Sequence, residues 1–365
     1  MNYIGSKHSL LPFIEQVWRE VREGEEQIAC DIFAGTGAVA RLFKRLGLRV
    51  IANDIQHYAY ALNKAYLEVN QQPTFARLRH ARSSAFRRLR GFSRLKAELQ
   101  TLSLTGLKPA EQVLAALNSL DGSAGFITKH YSPIGGRSYY STENAMKADV
   151  IRQTIHDWQA DGLLSEREYF YLLASLLEAI DQVANTASVY GAYLKKFKAS
   201  ALRPLTLKPL QVSNHVKGCE VHKRDANELI REIECDMLYL DPPYNHRQYG
   251  ANYHVLETIA AYDTPQLSGV TGMRDYTRSR YCQSKQAAEA MEDLIVNART
   301  RHILLSYNDE GVLSLEEIQR ILSLRGEPKI FQQPYNRFKA DNGRQYKRDA
   351  TIEFVHYVKV RNRER

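Results

Sequence analysis

An open α/β sheet interrupted by a long helical insertion is the fold class that this sequence predicts, and three observations predict it. Short apolar strands alternate with helices near the amino terminus, from Ile28 to Glu68. A glycine-rich turn, Gly35-Thr-Gly37, joins the first strand to its helix. The alternation stops near residue 72 and resumes near residue 215, with helical periodicity and basic charge between. Strand–helix repetition of this kind builds a parallel sheet, because parallel neighbours need a crossover connection. The expected division is therefore 1–71 with 215–365 as one domain, and 72–214 as an inserted one.

The elements follow in order. Residues 8–22 read as an amphipathic helix, with apolar positions at Leu10, Leu11, Ile14, Val17, Trp18 and Val21. Ile28–Phe33 reads as a strand that contains Asp31, Ala38–Leu46 as a helix closed by Gly47, and Arg49–Ala52 as a second strand ending in Asn53-Asp54. Tyr58–Glu68 is helical. Between Val69 and Ala97 no acidic residue occurs, while Arg77, Arg79, Arg82, Arg87, Arg88, Arg90, Arg94 and Lys96 fall together. Phe86, Leu89, Leu95, Leu99 and Leu102 recur at helical spacing, which places those cations on an outer face. The stretch 119–141 is rich in Gly, Ser and Tyr, and includes Arg137, Tyr139 and Tyr140. Two long helices follow at 145–158 and 166–184, then a loop at 185–193. Strands are expected again at 220–222, 237–240, 302–307 and 351–360, with helices at 226–232 and 315–324.

Composition narrows the function classes. The chain has 365 residues, 44% hydrophobic and 25% charged, which is the globular average. Lys plus Arg number 50 against 41 acids, for a net charge of +9, which favours a polyanionic partner. No apolar run approaches the roughly 18 residues of a membrane span. The apolar stretch Leu10–Ile14 is too short for a secretory signal. Cys30, Cys219, Cys235 and Cys282 are scattered, which reads as free thiols in a reducing compartment and not as a zinc site. A cytoplasmic location is the expectation.

Two motifs carry the chemistry. Phe33-Ala34-Gly35-Thr-Gly37 leads into a helix whose first N–H groups have no partner within the helix, so the turn suits an anionic or polar ligand. Asp54 closes the next strand, where an acid commonly accepts from ribose hydroxyls. A tight turn and a helix N-cap explain the same residues, and the pair does not separate a dinucleotide from S-adenosylmethionine. The second motif discriminates. Asp241-Pro242-Pro243-Tyr244 leaves the carboxyl end of a strand, where open α/β sheets place their ligands. Two prolines remove two N–H donors and leave carbonyls to accept from a ligand. An acid, a carbonyl and an aromatic face within four residues suit a planar exocyclic amine: Asp241 and the Pro242 carbonyl take its two hydrogens, and Tyr244 stacks on the ring.

On these residues the chain resembles the Dam-like, alpha-group DNA adenine-N6 methyltransferases, which run in the order FxGxG, target-recognition insertion, DPPY. Residues 245–254 after the DPPY motif carry a weaker likeness to the FokI-type methyltransferases of restriction–modification systems. The resemblance implies a Rossmann-like, S-adenosylmethionine-dependent sheet with a largely helical target-recognition domain. Tyr3, Gly5 and Lys7 match the family's first cofactor motif, and Asp225 its short acidic motif, although Ala226 stands where many relatives have an aromatic. With Asp31, Phe33, Ala34, Gly35, Gly37 and Asp54 these are the expected cofactor residues.

Arg87, Arg88, Arg137, Tyr139, Tyr140, Asn144 and Tyr190 are the expected contacts to double-stranded DNA. Arginines on phosphates would give affinity without sequence information, and a few side chains on bases would give specificity. No metal is required. The implied setting is bacterial or phage-like, with a cognate restriction endonuclease as a further partner. Three rivals stand beside this reading: an RNA adenine methyltransferase, a nicotinamide dehydrogenase sharing the glycine turn, and a non-catalytic DNA-binding relative.

Overall fold

The structure is a computed structural model that describes residues 7–81, 92–245, 248–309, 311–336 and 350–361. The chain divides into two compact units. One is drawn from Tyr3–Asn63, His215–Asn252 and Tyr276–Arg365; the other from Lys64–Asn214 with Tyr253–Asp275.

The first unit is built on a seven-stranded sheet: β1 (Ile28–Asp31), β2 (Arg49–Asn53), β3 (Glu220–His222), β4 (Met237–Leu240), β5 (His302–Asn308), β6 (Pro328–Asn336) and β7 (Ala350–Lys359). Their spatial order is β3-β2-β1-β4-β5-β7-β6. The first five pair in parallel, and β7 is antiparallel to both β5 and β6. This mixed α/β sheet is consistent with an S-adenosylmethionine-dependent methyltransferase fold. The order reverses beside β1, and open sheets bind ligands at such a switch point, outside the strand carboxyl ends.

Both faces of the sheet are covered, so its central strands read as continuous apolar runs. Leu238, Leu240, Ile303 and Leu305 pack against helices Ala287–Asn297 and Leu315–Ser323. On the opposite face Tyr239 meets Phe43, which in turn meets Trp18, with ring centroids 6.0 and 6.4 Å apart. Those two residues belong to helices Ala38–Arg45 and Leu11–Val21, the second opening with Pro12 in its first turn, where a missing N–H costs nothing.

Most elements fall where periodicity puts them; the differences have physical reasons. The first helix begins as a 3-10 turn, Lys7–Leu10, ahead of Pro12. β1 stops at Asp31, because Ile32 and Phe33 already belong to the glycine turn. The stretch read as one helix to Glu68 ends as Asn63, and a π-helical turn, Lys64–Glu68, continues it. β6 was not anticipated. Its Pro328 and Pro334 argue against a central strand, and it lies at the sheet edge, where a missing donor is tolerated.

The second unit is largely helical. Helix Glu166–Gln182 opens with a capping box: Ser165 Oγ accepts from Glu168 N–H, and the Glu168 carboxylate accepts from Ser165 N–H. Helix Thr142–Ala160 is capped by Ser141. Within the Gly/Ser/Tyr-rich stretch a short helix, Phe126–Tyr131, forms because Asp149 accepts from the backbone N–H groups of Gly125, Ile127 and Thr128. Leu78 is buried while Arg77 and Arg79 are exposed, as their spacing predicts. Tyr253–Asp275 joins this unit, although the sequence reading keeps it with the sheet. The buried Arg152 guanidinium donates to the carbonyls of Ile259 and Ala260, and the Tyr139 hydroxyl donates to Thr271.

Candidate active site

A cavity opens beside the carboxyl ends of β1, β2 and β4, within the sheet unit. Its walls include Lys7, Asp31, Phe33, Ala34, Gly35, Asp54, Asp225, Asp241 and Pro243. Residues from five separate stretches, singled out from sequence, thus converge on one space. Gly37 ends the turn as the N-cap of helix Ala38–Arg45, Pro242 is buried, and Tyr244 is half-buried against Tyr307, 5.5 Å between centroids. Tyr3 and Gly5 lie outside the described residues.

The glycine turn needs its glycines. Gly35 and Gly37 have φ of 51° and 77°, in the left-handed region. A Cβ on Gly37 would also stand 2.3 Å from Asn63 Oδ1. Asp54 ties the turn down: its carboxylate accepts from Gly35 N–H at 2.9 Å and from Gln56 N–H at 2.8 Å. A carboxylate has further lone pairs, so this anchoring is compatible with a ligand hydroxyl. Asp225 caps helix Ala226–Leu229 by accepting from Asn227 and Glu228 N–H, so its position is fixed by the helix start.

The electrostatics are dominated by buried acids around one buried lysine. Lys7 Nζ stands 3.2 Å from Asp241 Oδ1 and 3.4 Å from Glu353 Oε2. It also sits 5.3 Å from the centre of the Tyr244 ring. Burial works against the Lys7 charge, but attraction to Asp241, Tyr244, Glu353 and Tyr239 outweighs it and holds the ammonium well above its usual range. Burial pushes the Asp241 carboxyl up to about 6; Lys7 pulls it down and Glu353 pushes it up. Asp31 is raised well above the usual carboxylate range by burial and by its neighbours Asp241 and Asp54. Its Oδ1 is buried without a hydrogen-bond partner. An orphaned carboxylate oxygen in a cavity wall calls for a donor, and a cationic amine supplies one.

Other wall residues carried no sequence motif. Ile55 is 42% exposed at the cavity, an apolar side chain next to Asp54. Tyr281 packs edge-on to Phe33 at 5.0 Å and donates to Asn227 Oδ1. Gln248 ties the stretch at Ser279 by accepting its N–H. A high local density of Tyr, Arg and Ser at 276–281 was the available signal. For Glu353 the sequence shows only an acid within the last expected strand, 351–360, with nothing to tie it to Lys7.

The helical unit corrects several expectations. Tyr139, Tyr140 and Tyr190 are fully buried, not surface groups. The Tyr139 hydroxyl donates to Tyr190 O, and the Tyr190 hydroxyl to Asp181. Asn144 is 4% exposed; its amide donates to Ala201 O and Arg203 O, and its oxygen accepts from Leu205 N–H. The Arg137 guanidinium donates to carbonyls of His130, Gly269 and Val270. In this structure Arg137, Tyr139, Asn144 and Tyr190 hold loops together, while the Tyr140 hydroxyl is buried without a hydrogen-bond partner. Their Gly/Tyr-rich context signals turn packing as readily as base contact. Arg87 and Arg88 lie outside the described residues.

Elsewhere in the sheet unit, Glu23, Glu26 and His302 have ligand atoms within 4.8 Å of one another. Glu23 pairs with Lys359, and Glu26 accepts from the N–H groups of Glu23 and Gly24. Cys30, Cys219, Cys235 and Cys282 are buried thiols. Among the described residues no helix is long and apolar enough to cross a membrane.

An open sheet with a glycine turn at its switch point, and an Asp-Pro-Pro-Tyr loop beside the same cavity, defines a methyltransferase that acts on an amine. The family is then specific. The profile of the D12 class N6 adenine-specific DNA methyltransferases matches residues 3–321, and the chain belongs to that family. It is 40% identical to the Type II methyltransferase M.NlaIII of Neisseria lactamica, over 98% of this chain and 99% of that one. It is 37% identical to the Type II methyltransferase M.FokI of Planomicrobium okeanokoites, and 38% identical to the Modification methylase StsI of Streptococcus sanguinis. Those matches cover 98% and 94% of this chain but only 52% and 49% of the relatives, so the chain spans about half their length. As a DNA adenine-N6 methyltransferase it uses a methyl donor and acts on DNA. A nicotinamide dehydrogenase and an RNA-specific family are set aside by this membership.

Proposed function

We propose that this chain transfers a methyl group from S-adenosylmethionine to N6 of an adenine flipped out of duplex DNA, as the site-specific modification enzyme of a restriction–modification pair, acting in the cytoplasm. The observation that carries the reading is Asp241: a half-buried carboxylate just after β4, in the wall of the same cavity as the glycine turn. The site partner is a cognate endonuclease that spares the methylated sequence.

The residues fit the donor. Asp31, with its unpartnered Oδ1, suits the amino group of the methionine moiety, and the Gly35–Gly37 turn its backbone. Asp54 suits the ribose hydroxyls, with Ile55 and Phe33 as apolar walls for the adenine and Asp225 as a polar contact to it. Lys7 holds the charge balance between this region and Asp241, and Tyr3 and Gly5 complete the embrace by the family resemblance. S-adenosylmethionine supplies a sulfonium methyl as electrophile.

The adenine amine is a weak nucleophile, because its lone pair is delocalised into the ring. Asp241 and the Pro242 carbonyl, accepting its two hydrogens, would localise that pair on N6, with Pro243 stiffening the loop. Tyr244 would stack on the flipped base, which offsets part of the few kcal/mol that flipping costs by roughly 1–3 kcal/mol. The N6–methyl bond forms as the carbon–sulfur bond breaks, the sulfur keeps the electron pair, and the extra proton leaves through Asp241 to solvent. Positioning and electrostatics supply most of the catalysis. The exposed Arg77 and Arg79 suit phosphates.

The test is methyl transfer with purified protein, labelled S-adenosylmethionine and unmethylated duplex DNA or RNA. Label recovered as N6-methyladenine from DNA alone is the expected result. Label on RNA, or on cytosine, would refute the reading.

A further inference from the structure

The family profile ends at residue 321, yet a residue beyond it reaches Lys7 in the cavity wall. β7 runs antiparallel to β5, with Glu353 opposite Asn308 at the carboxyl end of that strand. The reversal brings the start of β7 to the end of the sheet from which Asp241 emerges. Glu353 is 4% exposed and alternates with Val355 and Tyr357 on the strand, so a charged group occupies a buried position. Such a group is stable only when paired. Its partner is Lys7, at 3.4 Å, whose other partner is Asp241 at 3.2 Å.

We propose that Glu353 is a positioning residue that shares the Lys7 ammonium with Asp241, so that Lys7 steadies the Asp241 carboxylate without neutralising its power to accept a hydrogen bond. The inference rests on the reading of Asp241 as acceptor for the adenine amine. One lysine between two acids leaves the three-residue group with a net negative charge. Without Glu353 the same lysine would pair with Asp241 alone, and the carboxylate would be a poorer acceptor.

The surroundings are consistent with this. Asp241 is faced by Lys7 from the 3-10 turn, Asp31 from β1, Tyr239 from its own strand β4 and Glu353 from β7; Asp54 stands behind Asp31, and Tyr244 beside Lys7. Lys7 is the cation among these, so its division between two acids sets the local balance. Burial raises the Asp241 carboxyl most, Lys7 opposes that, and Glu353 adds to it.

The test is the pH profile of kcat/KM for DNA methylation in wild type, Glu353→Gln and Lys7→Met. Wild type should lose activity as pH falls through about 6, the value at which Asp241 takes up its proton. Glu353→Gln should move that limb to lower pH by about half a unit or more, since Lys7 then serves Asp241 alone. Lys7→Met should move it upward. In that background Glu353→Gln removes only its direct repulsion of Asp241 and should shift the limb less than in wild type, and an equal shift would overturn the sharing of Lys7. Glu353→Asp, which draws the carboxylate back by one methylene, should move the limb in the direction of Gln by a smaller amount; it carries the test if Gln does not fold. A merely structural role for Glu353 would lower the rate at every pH and leave the limb in place, and that result overturns the inference. A wild-type profile with no acid limb, or no methyl transfer to DNA adenine, would instead sink the reading of Asp241 on which it rests.

Discussion

Tyr244 and Tyr139 both sit in loops rich in turn-forming residues, and the structure gives them opposite lives. Tyr244 is half-buried in the loop that follows β4, with the Lys7 ammonium near its ring. Tyr139 is fully buried in the helical unit, where its hydroxyl bridges Tyr190 and Thr271 carbonyls. The same contrast separates the two units. In the sheet unit, buried polar groups are strained: Asp31 has an orphaned oxygen, and Asp241 holds a raised carboxyl. In the helical unit the polar groups singled out, Asn144 and Arg137, are satisfied by backbone. Orphaned buried atoms occur in both units, Tyr140 Oη and Trp158 Nε1 in the helical one. The mark of the site is therefore that the orphaned Asp31 oxygen belongs to a cavity wall that also holds Asp54, Asp225 and Asp241.

Substitutions can break that contrast. The largest effect is expected at Asp241→Ala, which should lower kcat for methyl transfer by at least about 10³-fold, the scale of losing an electrostatic contact made in the transition state. S-adenosylmethionine affinity, measured by calorimetry, should stay largely intact. Turnover close to wild type would remove Asp241 from the chemistry.

Asn144→Ala should act on the scaffold and not on the reaction. It leaves two carbonyls and one N–H of the buried loop without partners, at a cost of about 2–4 kcal/mol in chemical denaturation. DNA affinity of the folded fraction should be unchanged; a selective loss of DNA binding at full stability would restore Asn144 as a contact.

Asp54→Asn should weaken S-adenosylmethionine binding by about 10–100-fold, since it disturbs both the Gly35 turn and the ribose position. An unchanged Kd would remove it from the site. Asp241→Asn should give the smallest effect and the opposite sign. The folded chain holds the Asp241 proton up to about pH 6, against 3.8 for an ordinary aspartate. What this group adds to stability is therefore greatest below pH 3.8 and is lost as pH rises through 6. Asparagine has no charge to bury, so at pH 8 the variant should be more stable by about 1 kcal/mol, after allowing for the lost Lys7 pairing. The gain should vanish near pH 4, and a constant gain at every pH would show that the charge is not its cause.

The contrast also explains what could be read from the sequence. The glycine turn and the Asp-Pro-Pro-Tyr loop are short segments at strand ends, so backbone geometry and ligand chemistry are encoded within a few neighbouring residues. The strand Met237–Leu240 is legible because a central strand covered on both faces is apolar throughout. β6 was hidden by its prolines, which an edge position permits. The roles of Arg137 and Tyr190 were illegible because partners lie far away in sequence: Arg137 donates to carbonyls at residues 269–270, and the Tyr190 carbonyl accepts from Tyr139. Glu353 is the same case within the site: only the antiparallel return of β7 brings it to Lys7.

The measurement that tests the account most directly is single-molecule sequencing of DNA from a methylation-free host that expresses the wild-type chain or Asp241→Ala. Wild type should place N6-methyladenine at one recurring sequence motif, and Asp241→Ala, present as folded protein, should place none. Unmodified DNA from wild type, or equal modification by Asp241→Ala, would contradict it.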